Sequence, residues 1–372
     1  MVTSGAGPLR TGASSAEGPL EDFHKIRTMN FPRTVLAGHG VLEELPKVCQ
    51  TLGLVSPGAV ITGPITQGVA GDRVVHLLEG ADFHVQMILA GDATLDEVAR
   101  VAQIVEEKGI RFLVGVGGGS KIDLAKTVAA RLRIPFISVP TSAAHDGISS
   151  PRASLKGSRE AFSIEAAVPE AVVADTAVLV RAPYRTLAAG CADVISNVTA
   201  VLDWQLAHRL RNEDFASSSA TLAEYAARGI LEHAREIRPG KEESVWIAIR
   251  PIIMSGIAMS MAGSSRPSSG SEHLFAHALE RIAPGRAMHG EIVGLGTIMM
   301  AYLHNADWKS LKASIKEIGA PTNAKEAGVE RDEILTALVN AHTLRPERYT
   351  ILGDNGLSRE AAERLAQQTE VI

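Results

Sequence analysis

The chain has 372 residues, of which 45% are apolar, 21% charged and 4% aromatic, an ordinary globular balance long enough for two domains. Lys and Arg total 37 and Asp and Glu total 42, a net charge of −5; this excludes a bulk basic protein that coats nucleic acid, though not a local anion pocket. With only Cys49 and Cys191, a disulfide framework and a Cys-rich zinc module are excluded, and a reducing, cytoplasmic setting is expected.

Residues 1–27 are rich in Gly, Ser, Ala and Pro and contain no continuous apolar run. A flexible N-terminal extension is expected there, not a signal peptide. From Phe31 the chain reads as a short strand, a glycine turn and a helix start (FPRTVLAGHGVLEEL). AVITGPIT (Ala59 to Thr66) is an apolar strand closed by a Gly-Pro breaker, and FHVQMIL (Phe83 to Leu89) is another strand. Thr94 to Lys108 carries Leu95, Val98, Ala99, Ala102 and Val105 at helical spacing. RFLVGVGGGS (Arg111 to Ser120) and IPFISVPTSA (Ile134 to Ala144) are further strands. Apolar strands alternating with helices predict a parallel, Rossmann-like sheet covered on both faces, over residues 28–182. From about Pro183 the strand signals stop, and Ser217 to Ala234, Glu242 to Met261 and Asp307 to Ile318 read as helices. An all-helical domain is expected over 183–372, with the site in the cleft between the two. The apolar stretch Pro251 to Ser265 carries several Ser and Gly and falls short of the roughly 20 residues a spanning helix needs, so no membrane-embedded segment is expected.

Three segments carry chemistry. GVGGGSKIDLAK (Gly115 to Lys126) runs a strand into glycines and then a helix from about Lys121, with Ser120 placed to donate a hydrogen bond or to cap it. Glycines let the backbone approach a diphosphate, and the new helix offers unpaired N–H groups; the same loop is also compatible with a tight turn that holds nothing. It follows a late strand, unlike the usual GxGxxG, and it lacks the GK[ST] of a P-loop. In VPTSAAHDGISSPRASL (Val139 to Leu155), at the carboxyl edge of the sheet, Asp146 is either a site residue or half of an Asp-Gly turn. SGSEHLFAHALE (Ser269 to Glu280) puts His273 and His277 on one helix face, and HGEIVGLG adds His289. With a carboxylate these could bind a divalent metal, or one could cap a helix while another packs in the core. Asp193, among small and apolar residues in AAGCADVISN, needs a partner or a metal if buried.

In order along the chain these segments, with MNFPRTVLAGHGVLEEL before them, resemble the sn-glycerol-1-phosphate dehydrogenase family. That family lies within the superfamily of iron-containing alcohol dehydrogenases, glycerol dehydrogenase and dehydroquinate synthase. The resemblance runs from about Asn30 to the last helices, and HDGISSP is its most specific mark. The long N-terminal extension departs from the family pattern.

The resemblance implies a dehydroquinate synthase-like fold and a set of roles. Asp193, His273 and His289 match metal ligands. His277 and Asp146 match substrate contacts, with Asp193 able to touch substrate too. Gly117, Gly118, Gly119, Ser120, Lys121, Asp123, Thr141, Ser142 and Ser150 match cofactor contacts. The implied reaction is reduction of dihydroxyacetone phosphate by NAD(P)H to sn-glycerol 1-phosphate, a precursor of archaeal-type membrane phospholipids. A divalent metal, zinc by family preference, would act as Lewis acid. The proton would come through metal-bound water or a neighbouring group, with His277 and Asp146 as candidates. No acidic residue directly follows the strand in ITGPIT, so both NAD and NADP are expected to serve. Arg152, Lys156 and Arg159 lie near the substrate loop and are read as a solvated face; no phosphate ligand is evident. A homo-oligomer is expected. The alternatives are a glycerol dehydrogenase with unphosphorylated substrate, a dehydroquinate synthase, which would carry Glu at the first metal position where this chain has Asp193, and a non-catalytic metal-stabilised scaffold.

Overall fold

The computed structural model describes residues 28–157 and 161–372; the expected extension, 1–27, and Arg159 lie outside the described residues. In chain order the first half runs β1 (Thr34–Gly38), α1 (Leu45–Thr51), β2 (Gly58–Thr62), α2 (Asp72–Glu79), β3 (Val85–Leu89), α3 (Leu95–Glu107), β4 (Phe112–Gly117), α4 (Gly119–Leu132) and β5 (Phe136–Pro140). A hairpin, β6 (Arg152–Lys156) and β7 (Ala161–Glu165), precedes β8 (Ala171–Asp175).

Six strands form one parallel sheet in the order β1-β8-β5-β4-β2-β3. Every residue of β2, β4, β5 and β8 is buried, which is why these strands are unbroken apolar runs and not alternating ones. The helices follow the 3.6-residue rule: α3 buries Val98, Val101, Ala102 and Val105 and is capped by the Thr94 side chain, which accepts from the Glu97 N–H. The chain goes from β2 outward to β3, then returns to place β4 on the other side of β2. The carboxyl ends of β2 and β4 therefore flank a switch point, where open α/β sheets hold ligands.

After β8 every described element is helical. The main ones are α5 (Tyr184–Ile195), α6 (Asn197–Arg211), α7 (Ser217–Glu232), α8 (Glu242–Ala262), α9 (Ser271–Ile282), α10 (His289–Leu303), α11 (Trp308–Ile318), α12 (Arg331–Asn340) and α13 (Arg359–Gln368). Most of their apolar faces share one core that includes Ile195, Ile252, Phe275, Leu279, Ile298 and Ile315, while Val201 and Trp204 of α6 pack with Ala220 and Ala223 of α7 in a smaller one.

Three readings of the sequence change. The hairpin and β8 had no clear signal: RASLK and AFSIE are half polar, and AVVAD is as apolar as a helix segment. The helix after the glycine loop starts at Gly119, so Ser120 lies in its first turn and does not cap it. The apolar stretch from Pro251 is the end of the 21-residue α8, long and apolar enough on that measure to cross a membrane. Its apolarity is used internally, with Ile249, Ile252, Ile253 and Ala258 buried in the fold.

Candidate active site

A cleft of about 320 Å³ opens where α4, the loop after β5 and the β6–β7 hairpin meet α5, α9 and α10. Asp146, Asp193, His273, His277 and His289 all line it, as do Ser120, Asp123 and Ser150.

The carboxylate and histidines come from three helices brought unusually close. A side chain at Gly190 on α5 would strike the Ala143 carbonyl oxygen at 2.0 Å. One at Gly290 on α10 would strike the Ala189 carbonyl at 2.1 Å. Glycine at both places lets the loop after β5 and the start of α10 lie directly on α5. The loop thereby aims the Asp146 N–H at Asp193 Oδ2 (3.4 Å), and α10 brings His289 to the same carboxylate. Asp193 Oδ1 lies 3.5 Å from His273 Nε2 and 4.0 Å from His289 Nε2. One ligand atom from each of the three residues falls within 4.8 Å of the others.

These residues fit a cation. Asp193 Oδ1 is buried and has no hydrogen-bond partner, a costly state for a carboxylate unless a positive charge meets it. Each histidine is turned by a carboxylate on its other nitrogen: His273 Nδ1 donates to Glu272 Oε1 (2.9 Å), His289 Nδ1 to Glu280 Oε1 (2.8 Å) and His277 Nδ1 to Glu280 Oε2 (3.1 Å). That tautomer leaves Nε2 as the lone-pair nitrogen, the arrangement in which metal-binding imidazoles are held. Glu272 is held in turn by Thr199 Oγ1 (2.8 Å). Burial opposes charge on His273, yet the Asp193 and Glu272 carboxylates outweigh it and push its pKa up to about 10 in the metal-free chain. Burial likewise works against the Glu280 carboxylate, but His289 and His277 hold it below the usual range. Three carboxylates around three imidazoles make a site that attracts positive charge.

Asp146 is different. Burial, and then the nearby Asp193 carboxylate, push its pKa up to about 7, while a hydrogen bond from Ser255 Oγ to Asp146 Oδ2 (2.8 Å) limits the rise. Asp146 also opens a short 3₁₀ turn, Asp146–Ile148, so the turn and the site are one feature.

The glycine-loop residues gather at the carboxyl ends of β4 and β5. Gly117 ends β4, and its carbonyl accepts from the Thr141 N–H (2.9 Å). Gly118 precedes α4 and faces Ser142 Oγ. Gly119 packs under the His145 ring. Ser120 Oγ accepts from the Ala93 N–H (3.1 Å). Lys121 reaches across to the Gly91 carbonyl. Asp123 Oδ2 accepts from the Ser154 N–H (3.1 Å), while Oδ1, buried and without a hydrogen-bond partner, lies 3.5 Å from Lys126 Nζ. Ser150 is buried, its Oγ accepting from the Arg152 N–H (3.3 Å).

Several residues in the cleft or behind it escaped the sequence reading. Lys126, fully buried, donates to the Gly147 and Arg152 carbonyls and so fastens the loop after β5 to α4. Glu272 and Glu280 stand beside and three residues after a histidine within SGSEHLFAHALE, which is the signal that could have found them. Arg152 is no solvated residue: it is half-buried, lines the cleft and bonds Ser163. Lys156 is largely exposed and pairs with Asp92 (2.9 Å).

The iron-containing alcohol dehydrogenase family matches residues 36–183. A glycerol-1-phosphate dehydrogenase (NAD(P)+) of Methanosarcina acetivorans is 53% identical over 349 residues, covering 94% of this chain and 98% of that protein. The chain belongs to the glycerol-1-phosphate dehydrogenase family. A member from Pyrococcus horikoshii is 48% identical over 347 residues, covering 93% of this chain and all of that one (100%). Among solved structures, a probable glycerol dehydrogenase from Sinorhizobium meliloti superposes with a TM-score of 0.74 at 20% identity, covering 93% of this chain and 98% of that one. An iron-containing alcohol dehydrogenase from Thermotoga maritima gives 0.70 at 17%, covering 93% and 100%. At those identities the structures speak for the fold, which is that of the iron-containing alcohol dehydrogenases.

Proposed function

We propose that this chain reduces dihydroxyacetone phosphate to sn-glycerol 1-phosphate with NADH or NADPH, reversibly, and so supplies the glycerol backbone of archaeal-type membrane phospholipids. The full-length likeness to glycerol-1-phosphate dehydrogenases carries this reading. The orphaned Asp193 Oδ1 between two histidine Nε2 atoms supports it. Asp193, His273 and His289 would hold the metal, for which zinc suits one carboxylate and two imidazoles. The metal supplies Lewis-acid polarisation of a carbonyl, and the nicotinamide supplies the hydride.

The chain's own residues do the rest. Glu272 and Glu280 hold the histidine tautomers. Gly117 to Asp123, with Thr141, Ser142 and Ser150, bind the cofactor at the carboxyl ends of β4 and β5, and Ser120, Asp123 and Ser150 carry its side into the cleft. Asp146 and His277 contact substrate. The Asp146 carboxyl, with a pKa near 7 and a Ser255 hydrogen bond, can carry the proton the product oxygen needs. The division between the sheet half and the helical half falls at Pro183, which precedes α5. The two buried free thiols fit a cytoplasmic enzyme, and a homo-oligomer is the expected assembly.

The test follows NAD(P)H consumption with dihydroxyacetone phosphate and with free dihydroxyacetone. A kcat/KM ratio of at least about a hundredfold in favour of the phosphate is expected, which two charged contacts at roughly 1.5–3 kcal/mol each would supply. The product should be inert to a coupling enzyme specific for sn-glycerol 3-phosphate. Equal efficiency on the free ketone would make this a glycerol dehydrogenase.

A further inference from the structure

Four arginines form an electrostatic chain beside the cleft: Arg152, Arg345, Arg348 and Arg266. Three are committed to protein partners. Arg266 grips Glu213 with both ends of its fork and reaches the Tyr349 carbonyl (3.0 Å). Arg348 donates to the Ser269 carbonyl (2.6 Å) and Ser265 Oγ (2.9 Å), which straps down the segment leading into α9. Arg152 donates to the Ser163 carbonyl (3.1 Å) and Oγ (3.2 Å). The Arg345 guanidinium alone makes no hydrogen bond and no ion pair among the described residues.

The nearby carboxylates do not balance these charges. Glu213 is taken by Arg266. Glu272 is taken by His273, Thr199 and the Gly270 N–H. Glu165 faces Arg152, yet burial, followed by the repulsion of Arg345, still lowers the Arg152 pKa. Two half-buried guanidiniums set against each other, with one fork unused, are a receptor for an oxyanion.

Placement decides which oxyanion. Arg152, Ser154 and Lys156 lie at alternate positions of β6 and so along one side of the strand. The Lys156 end meets the cofactor side: its N–H donates to the Ala93 carbonyl (2.7 Å), and Ala93 is bonded to Ser120 of α4. The Arg152 end meets Arg345 from the helical half, in the same cleft as Asp193, His273 and His277. A cofactor laid along the glycine loop does not need this end; a short ketose phosphate whose carbonyl reaches Asp193 and the histidines does.

We propose that Arg345 and Arg152 bind the phosphate of the substrate, Arg345 with its free fork and Arg152 as a preset partner fixed by Ser163. The assignment rests on the phosphorylated-substrate reading given above. It makes Arg345 the residue that separates a phosphorylated from a free ketone.

The experiment uses the full-length, metal-loaded enzyme saturated with NADH, so that the cofactor's own phosphate contacts are filled. Arg345→Gln should lower kcat/KM for dihydroxyacetone phosphate about ten- to a hundredfold, mainly through KM, the loss of one charged contact. Turnover of free dihydroxyacetone and metal content should stay at wild-type levels. Inorganic phosphate, titrated by calorimetry, should bind correspondingly more weakly to Arg345→Gln, and Arg345→Lys should recover part of the loss. Unchanged KM and unchanged phosphate affinity in Arg345→Gln overturn the assignment, as does an equal loss on both ketones. A wild-type enzyme that ignores dihydroxyacetone phosphate but loses phosphate affinity in Arg345→Gln keeps the anion site and refutes the substrate reading instead.

Discussion

Glu280 is the most informative single position to perturb. Its two oxygens accept from His289 Nδ1 (2.8 Å) and His277 Nδ1 (3.1 Å), so one carboxylate sets two ring tautomers. In Glu280→Gln the amide oxygen can accept from only one histidine, and the amide NH₂ turns the other to the opposite tautomer. With the oxygen kept on His289, that ring still presents Nε2, and the loss is the charge of one hydrogen-bond partner. Such outer partners are worth about ten- to a hundredfold in metal affinity. The expected result is about tenfold, or about 1.4 kcal/mol, for Glu280→Gln, and near a hundredfold, about 2.7 kcal/mol, for Glu280→Ala. The assay is metal affinity in chelator-buffered solution, with kcat then measured at saturating metal. A kcat still low at saturation would report the altered His277. Wild-type metal affinity in both variants would refute the reasoning. A second grouping, His277, Glu280 and His289, is also compact enough to hold an ion. The two are separated by Asp193→Asn, which abolishes metal binding if Asp193, His273 and His289 are the ligands and leaves it intact if the ion sits on Glu280.

Gly118→Val should raise the cofactor KM by an order of magnitude or more and leave metal content alone; the nearest obstacle to a Cβ there is Ser142 Oγ at 3.0 Å, so a normal KM would place the cofactor elsewhere. Gly190→Ala drives a methyl into the Ala143 carbonyl and should cost about 1–3 kcal/mol or more, read as a lowered denaturation midpoint; an unchanged midpoint would mean that α5 and the substrate loop are not in direct contact. Cys49 and Cys191 are buried, and burial pushes both thiols up to about 12, so neither should react with a thiol reagent in the native protein at mildly alkaline pH, and both should react in denaturant. Rapid native labelling would contradict their burial.

The local motifs of the site were legible because each is short. Gly117 to Ser120 closes a strand that is apolar throughout, and His273 with His277 is a four-residue spacing on one amphipathic helix. Period and spacing are properties of neighbouring residues, and so they survive in a one-dimensional reading. The hairpin was not legible, because RASLK pairs with AFSIE and lies against α4, and neither segment carries a continuous apolar run of its own. Asp123 stands in the glycine-loop motif, but its Oδ2 accepts from the Ser154 N–H of the hairpin, a link that nothing in the motif announces, while its buried Oδ1 has no hydrogen-bond partner.

By itself the sequence determined the alternation of the first five strands with helices, the parallel class of the sheet, the glycine loop at a strand end and the residue types able to hold a metal. All of these follow from local hydrophobic period and side-chain chemistry. Tertiary structure alone decided which of those residues meet. Asp193 and His289 converge because Gly190 and Gly290 permit backbone-close helix contacts, and Arg152 and Arg345 line one cleft because the hairpin of the sheet half and a segment of the helical half border the same space. Contacts between residues so far apart in the chain depend on the packing of whole layers, and a charge becomes a receptor only when that packing leaves it without a partner.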